Sequence, residues 1–190
     1  TALVHRRRPG RKIALMGGGG AIGVFSSDLA HRWGLEIPTF TLDTQQRLRR
    51  WLPAPGNSVA NPLDTGTPVL PLDVFARLAE EILVREPVEV LVLVLHLHPL
   101  AVVLPEFMEM DRLSVPPKEA YPDQVLKIVD RLKGETGKDV VLVLENRANR
   151  VDDLEIERIY RSMRLRFQDR GIPVFPTTER ALRAIRNTAS

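Results

Sequence analysis

The chain has no cysteine among its 190 residues, which excludes disulfides, thiolate metal sites and cysteine nucleophiles together. It also lacks a strong charge excess: 27 Lys plus Arg stand against 24 Asp plus Glu, a net of +3. So small a surplus is no electrostatic footprint for nucleic acid, and none is expected as a partner. Long apolar runs are missing as well. The longest, Val90 to Leu95, is strand-sized and far short of the roughly 20 residues that span a bilayer, so no membrane role is expected. The basic start, Thr1 to Arg11, lacks an initiator Met and the apolar segment of a signal peptide. It reads as a linker (1–11) ahead of one domain (12–190), in a cytoplasmic protein of which this chain is a piece. A chain of this size buries roughly 70% of its unfolded surface and needs no staples.

What is present is glycine, concentrated in one place. Gly17, Gly18, Gly19 and Gly20 follow the apolar run Ile13–Met16 and open onto a stretch of helical period. A strand that ends in glycines and turns into a helix presents backbone N–H groups with no β-carbons in the way. The helix dipole adds about half an elementary charge in favour of an anion there. The expected occupant is a phosphoryl group or a carboxylate. Turn-making alone, with no ligand, is the alternative.

Strand-length apolar runs alternate with helical segments along the whole chain. The expected strands are Ile13–Met16, Ile37–Leu42, Val90–Leu95, Val140–Leu144 and Ile172–Phe175. The first helix is expected to bury Ile22, Phe25, Leu29 and Trp33, spaced for one face, with Gly34 closing it. Further helices are read at about 44–52, at 71–85 (burying Val74, Leu78 and Ile82) and around Val125 to Leu132. Another, opened by Asp152 and Glu155 and ended by Gly171, buries Ile156, Ile159, Tyr160, Met163 and Phe167; a final helix is capped by Thr177. Residues 53–71 read as loop.

This pattern predicts an α/β fold, a three-layer sandwich around a parallel five-stranded sheet. Proline cannot donate to a ladder, so Pro38 and Pro173 place the second and fifth strands at the edges. That gives the flavodoxin-like order 2-1-3-4-5, whose ligand crevice opens between the first and third strands. The stretch from about 99 to 122 is long and apolar for a connection. It is either a contact surface, leaving a homodimer open, or a satellite cluster on its own domain.

Several residues carry alternatives. Gly18-Gly-Gly20-Ala-Ile-Gly23 with Asp43 matches a dinucleotide fingerprint, which leaves an NAD-binding oxidoreductase module as a rival reading. A non-catalytic interaction domain is a second rival. A receiver domain would need acids where Gly17 to Gly20 stand, and FMN loops use hydroxyls and aromatics that are missing here. His96 and His98 share a sheet face by spacing, but no third metal ligand is evident, and no metal is expected. His98 is placed at the crevice mouth, either as a phosphate contact or as an ordinary strand-end histidine. Asn61 and Asp64 either hold a turn or face the ligand. Glu145 and Asn146 end the fourth strand on the ligand side.

Arg11-Lys-Ile-Ala-Leu-Met-Gly-Gly-Gly-Gly-Ala-Ile-Gly23, Ser58-Val-Ala-Asn-Pro-Leu-Asp-Thr-Gly66 and Gly171-Ile-Pro-Val-Phe-Pro-Thr-Thr-Glu-Arg-Ala-Leu-Arg-Ala184 carry a resemblance. Together they resemble the NDP-forming acyl-CoA synthetases, specifically their CoA-ligase domain, related to the C-terminal domain of the succinyl-CoA ligase beta subunit. The Asn-Pro-Leu-Asp segment is the most specific of the three; Val143-Leu-Glu-Asn146 is a fainter likeness. The family loop reads nearer to Asn-Ala-Gly-Gly-Pro-Gly, so this loop is a variant. In that family a phosphohistidine, held between helix N-termini of two domains, carries the phosphoryl group between sites. The resemblance implies that Gly17, Gly18, Gly19, Gly20, Ala21 and Ile22 form one such cradle; Asn61, Asp64 and His98 are candidate contacts beside it. It implies no catalytic residue on this chain, which would be inactive alone. The implied partners are phosphate and the phosphohistidine, CoA-binding and ATP-grasp domains, with CoA, ATP or ADP and Mg used by the parent enzyme.

Overall fold

Apolar runs become strands and the segments between them helices in the computed structural model, which describes residues 11–17, 19–52, 56–67, 70–96, 120–145 and 154–188. In chain order the elements are β1 (Ile13–Gly17), α1 (Gly20–Arg32), α2 (Leu42–Arg49), β2 (Leu63–Asp64), α3 (Leu72–Arg85) and β3 (Val90–Leu95). Then follow α4 (Tyr121–Thr136), β4 (Asp139–Leu144), α5 (Leu154–Asp169), β5 (Val174–Phe175) and α6 (Thr178–Thr188). The five strands form one parallel sheet in the order β2-β1-β3-β4-β5. The flavodoxin-like α/β architecture is therefore the one expected.

Successive strand residues point to opposite faces, and both faces are covered. Ala14, Met16, Leu91, Leu93, Val140 and Leu142 pack under α2, α3, α4 and α5. Ile13, Leu15, Val92, Val94, Val141 and Val143 pack under α1 and α6. Burial on both faces explains why these strands read as continuous apolar runs. The expected inner faces of the later helices hold: Leu78 and Ile82, Val125 and Val129, then Ile156, Met163 and Phe167 are all buried. Thr177 Oγ accepts the Arg180 N–H at 3.2 Å and so caps α6. Gly171 leaves α5 with a φ of 67°.

The identity of the second strand differs from expectation. Ile37–Leu42 forms no strand; β2 is Leu63–Asp64, within the segment read as loop. The edge of β1 is instead covered by a relay of three pieces. Glu36 starts it: the Ile13 N–H donates to the Glu36 carbonyl at 2.9 Å, and the Glu36 N–H to the Arg11 carbonyl at 2.9 Å. Pro38 has no N–H with which to continue that ladder. The side-chain amide of Asn61 takes over. Its oxygen accepts the Leu15 N–H at 3.0 Å, and its nitrogen donates to the carbonyls of Ile13 at 2.8 Å and Pro38 at 3.0 Å. After the cis Asn61–Pro62 peptide, Leu63 and Asp64 pair with Met16 and Gly17.

The face of α1 is also corrected. Phe25 is 56% exposed and Val24 is exposed beside it, whereas Ser26, Leu29 and Ala30 turn inward. Leu29 is buried as expected and Trp33 packs at the edge of the same cluster, while Ser26 and Ala30 take the inward positions expected of Phe25. Asp152 and most of the 99–122 connection lie outside the described residues; α4 begins at Tyr121, inside the span read as loop.

Candidate functional site

The carboxyl ends of β1 and β3, the two strands flanking the change of chain direction, define the site. Gly17 lies opposite Val94 across the sheet. A β-carbon on Gly17 would stand 2.9 Å from Val94 Cβ and 3.0 Å from its carbonyl oxygen, so only glycine fits that approach. Gly19 is the N-cap of α1 with φ 113° and ψ 111°, a backbone conformation open to glycine and strained for other residues. The first bond inside the helix runs from the Gly23 N–H to the Gly19 carbonyl at 3.4 Å. The N–H groups of Gly20, Ala21 and Ile22 therefore have no acceptor within the helix. The N-cap glycine has no side chain to cap this end, and no acid lies in the first turn. Gly18 lies outside the described residues.

Asp64 reaches the same place from β2. Its Oδ1 accepts the Gly19 N–H at 2.9 Å and the Gly66 N–H at 2.9 Å. Gly66 is fixed as glycine by its φ of 67° and by the Gly56 carbonyl oxygen, which would lie 2.9 Å from an added β-carbon. The relay along β1 thus has a consequence for the site: Asn61 sets the register, and the register delivers Asp64 to the glycine loop. Asn61 itself is committed to backbone groups and holds structure.

Beneath the loop lies a narrow cleft of about 20 Å³, room for about one water molecule, lined by Gly17, Gly19, Gly23, Ser26, Asp64 and Val94, among others. Ser26 is 1% exposed, and its Oγ has no hydrogen-bond partner among the described residues. No sequence signal singled it out, because a serine in a helix ordinarily faces water. A second narrow cleft, also of about 20 Å³, lies across Gly17 and is lined by Thr65, Thr67, Phe75, Leu95 and Tyr121, among others. Burial pushes the Tyr121 phenol up to about 12.

His96 and Glu145 leave the ends of β3 and β4, and His96 Nδ1 stands 3.9 Å from Glu145 Oε2. The spacing of the two histidines hid this pair; only strand adjacency reveals it. Tyr160 Oη donates to the Glu145 carbonyl. His98 and Asn146 lie outside the described residues. Among the described residues, no three His, Cys, Asp or Glu side chains are grouped to hold a metal ion.

The dinucleotide fingerprint does not assemble. Asp43 sits in the first turn of α2, where its Oδ2 accepts from Arg47 Nε at 2.9 Å. That hydrogen bond, helped by the charges of Arg47, Arg85 and Arg50, holds its carboxyl below the usual range against a smaller effect of desolvation. The strand beside β1 is β2, which carries Asp64 in its place. The third glycine of a fingerprint serves close helix–strand packing, but Gly23 has room for a β-carbon, with Pro62 Cβ 3.5 Å away.

No protein-family model matches the chain, and no curated protein does. Solved structures do. PH0766 from Pyrococcus horikoshii OT3 matches 97% of this chain at a TM-score of 0.67 and 19% identity. The dinucleotide forming acetyl-coenzyme A synthetase 1 of Ca. Korarchaeum cryptofilum, in its apo form, matches the same share at a TM-score of 0.66 and 21% identity. Its complex with phosphate and ADP gives the same values. The fold is shared, and the chain spans only about a third of each of these proteins, 36% and 34%. Among the described residues no helix is long and apolar enough to cross a membrane.

Proposed function

We propose that the chain is the CoA-ligase domain of an NDP-forming acyl-CoA synthetase, and that it holds a phosphoryl group at the N-terminus of α1. The observation that carries this is the state of that helix end: it is glycine-built, without a cap from its own N-cap residue and free of first-turn acids, at the carboxyl ends of β1 and β3. Backbone N–H groups fixed in advance stabilise charge on a transferring phosphoryl group without reorganising at the moment of transfer. The domain makes no covalent bond and is inactive alone. A phosphohistidine on another domain brings the phosphoryl group, and the CoA-binding and ATP-grasp domains handle CoA, ATP or ADP and Mg. The likeness to an acetyl-coenzyme A synthetase of which this chain would be a third supports the reading. So does the Asn61-Pro-Leu-Asp64 segment, in which Asn61 holds the edge of β1 and Asp64 accepts the Gly19 N–H of the loop.

Titration of inorganic phosphate into isotope-labelled protein tests it, with the amides of Gly17 to Gly23 as the readout and NADH as the comparison. The expected result is saturable phosphate shifts confined to the loop and the start of α1. NADH shifts that reach Asp43, or a loop silent to phosphate, would overturn the reading.

A further inference from the structure

The glycine-loop cleft already contains one negative group. We propose that Asp64 sets which oxyanions the cleft accepts, acting as a built-in anion that disfavours doubly charged ligands relative to singly charged ones. The inference rests on the phosphate reading above and adds a charge preference to it.

Asp64 Oδ1 takes the Gly19 N–H at 2.9 Å and is anchored by the Gly66 N–H at 2.9 Å. It therefore satisfies the N-cap donor and ties the loop to the 64–66 turn. By helix geometry the N–H groups of Gly20, Ala21 and Ile22 have no acceptor within α1, and an incoming anion at them lies beside that carboxylate. For unit charges about 5 Å apart even a water-like dielectric weakens binding roughly fourfold for each charge the ligand carries. A dianion therefore loses at least the square of what a monoanion loses. Among the described residues lining the cleft, Asp64 is the only charged one.

An independent feature of the cleft favours a polar occupant. Ser26 Oγ is buried in the same cleft without a partner. A buried hydroxyl left unpaired is costly, and a ligand oxygen or its bound water relieves that cost without adding charge. Asp64 and Ser26 thus divide the work: one sets the tolerated charge, the other supplies a neutral hydrogen bond.

The test measures binding of inorganic phosphate, sulfate and hypophosphite at pH 7.5 and constant ionic strength, using the loop amides. Asn keeps an acceptor for Gly19 and removes the charge, so Asp64→Asn is expected to tighten phosphate and sulfate at least tenfold and hypophosphite about fourfold. Ser26→Ala is expected to weaken all three anions by a similar factor. Wild-type protein alone gives a further check: hypophosphite is expected to bind no more weakly than sulfate. Wild-type sulfate binding ten times tighter than hypophosphite, or Asp64→Asn binding phosphate no better than wild type, would overturn the proposal while leaving the cradle in place. Absence of binding by wild type and both variants would overturn the cradle reading, and this inference with it.

Discussion

Two helix N-termini in this molecule meet the same physical problem in opposite ways. At α2, Thr41 Oγ accepts the Thr44 N–H at 3.3 Å, and Asp43 supplies a negative charge in the first turn. Thr41 is itself held by the buried Glu86, whose Oε1 accepts its N–H at 3.0 Å and its hydroxyl at 2.9 Å. That end is closed by residues of the domain itself. At α1 there is no side-chain cap from the N-cap residue and no first-turn acid, only the Asp64 carboxylate arriving from a distant turn. Helix ends closed by their own residues serve stability. An end left to glycines, and only partly satisfied by a long-range contact, is where a domain can receive an anion from outside.

The comparison is broken most severely at Gly17. Replacing it with valine forces a branched side chain into Val94, which is expected to cost about 3 kcal/mol, as overpacking does. Urea denaturation measures this, and a variant as stable as wild type would show that β1 and β3 can part without cost. A smaller loss is expected from Thr41→Ala, which opens α2 as α1 is open. Removing the cap costs about 1 kcal/mol, to which the loss of a donor to buried Glu86 adds. The same denaturation series reads it, and an unchanged midpoint would mean that the cap is redundant. The smallest effect, and the only gain, belongs to Gly23→Ala. The site has room for a methyl group, and alanine in a helix is favoured over glycine by roughly 0.5–1 kcal/mol. Stability is expected to rise by that amount in the same denaturation series. A fall in stability would mean that Gly23 packs against the strand more tightly than the geometry indicates.

Much of this was legible in the chain itself. Valine and leucine runs on strands buried on both faces, and the helices between them, declare a parallel sheet without any tertiary information. The glycine run after Ile13–Met16 marks the site by steric demand alone. The strand order was reached by way of Pro38, although Pro38 lies in no strand: it ends the partial pairing of Glu36 with β1, and a two-residue strand replaces it. Such a short strand has no periodicity to read, and the Asn61 amide that bridges the gap imitates a backbone that is not there. Ser26 and the His96–Glu145 pair were hidden for a related reason, since burial and strand adjacency are properties of the assembled sheet.

The sequence by itself determined the layers, the alternation and the place of the glycine loop, because these follow from local hydrophobic pattern and from the absence of side chains at four consecutive positions. Only the tertiary structure decided what stands around that loop. Asp64, 45 residues from Gly19 along the chain, reaches its N–H through a register set by one buried asparagine. Hydrogen bonds of that span depend on which strand lies beside which, and no local pattern encodes that.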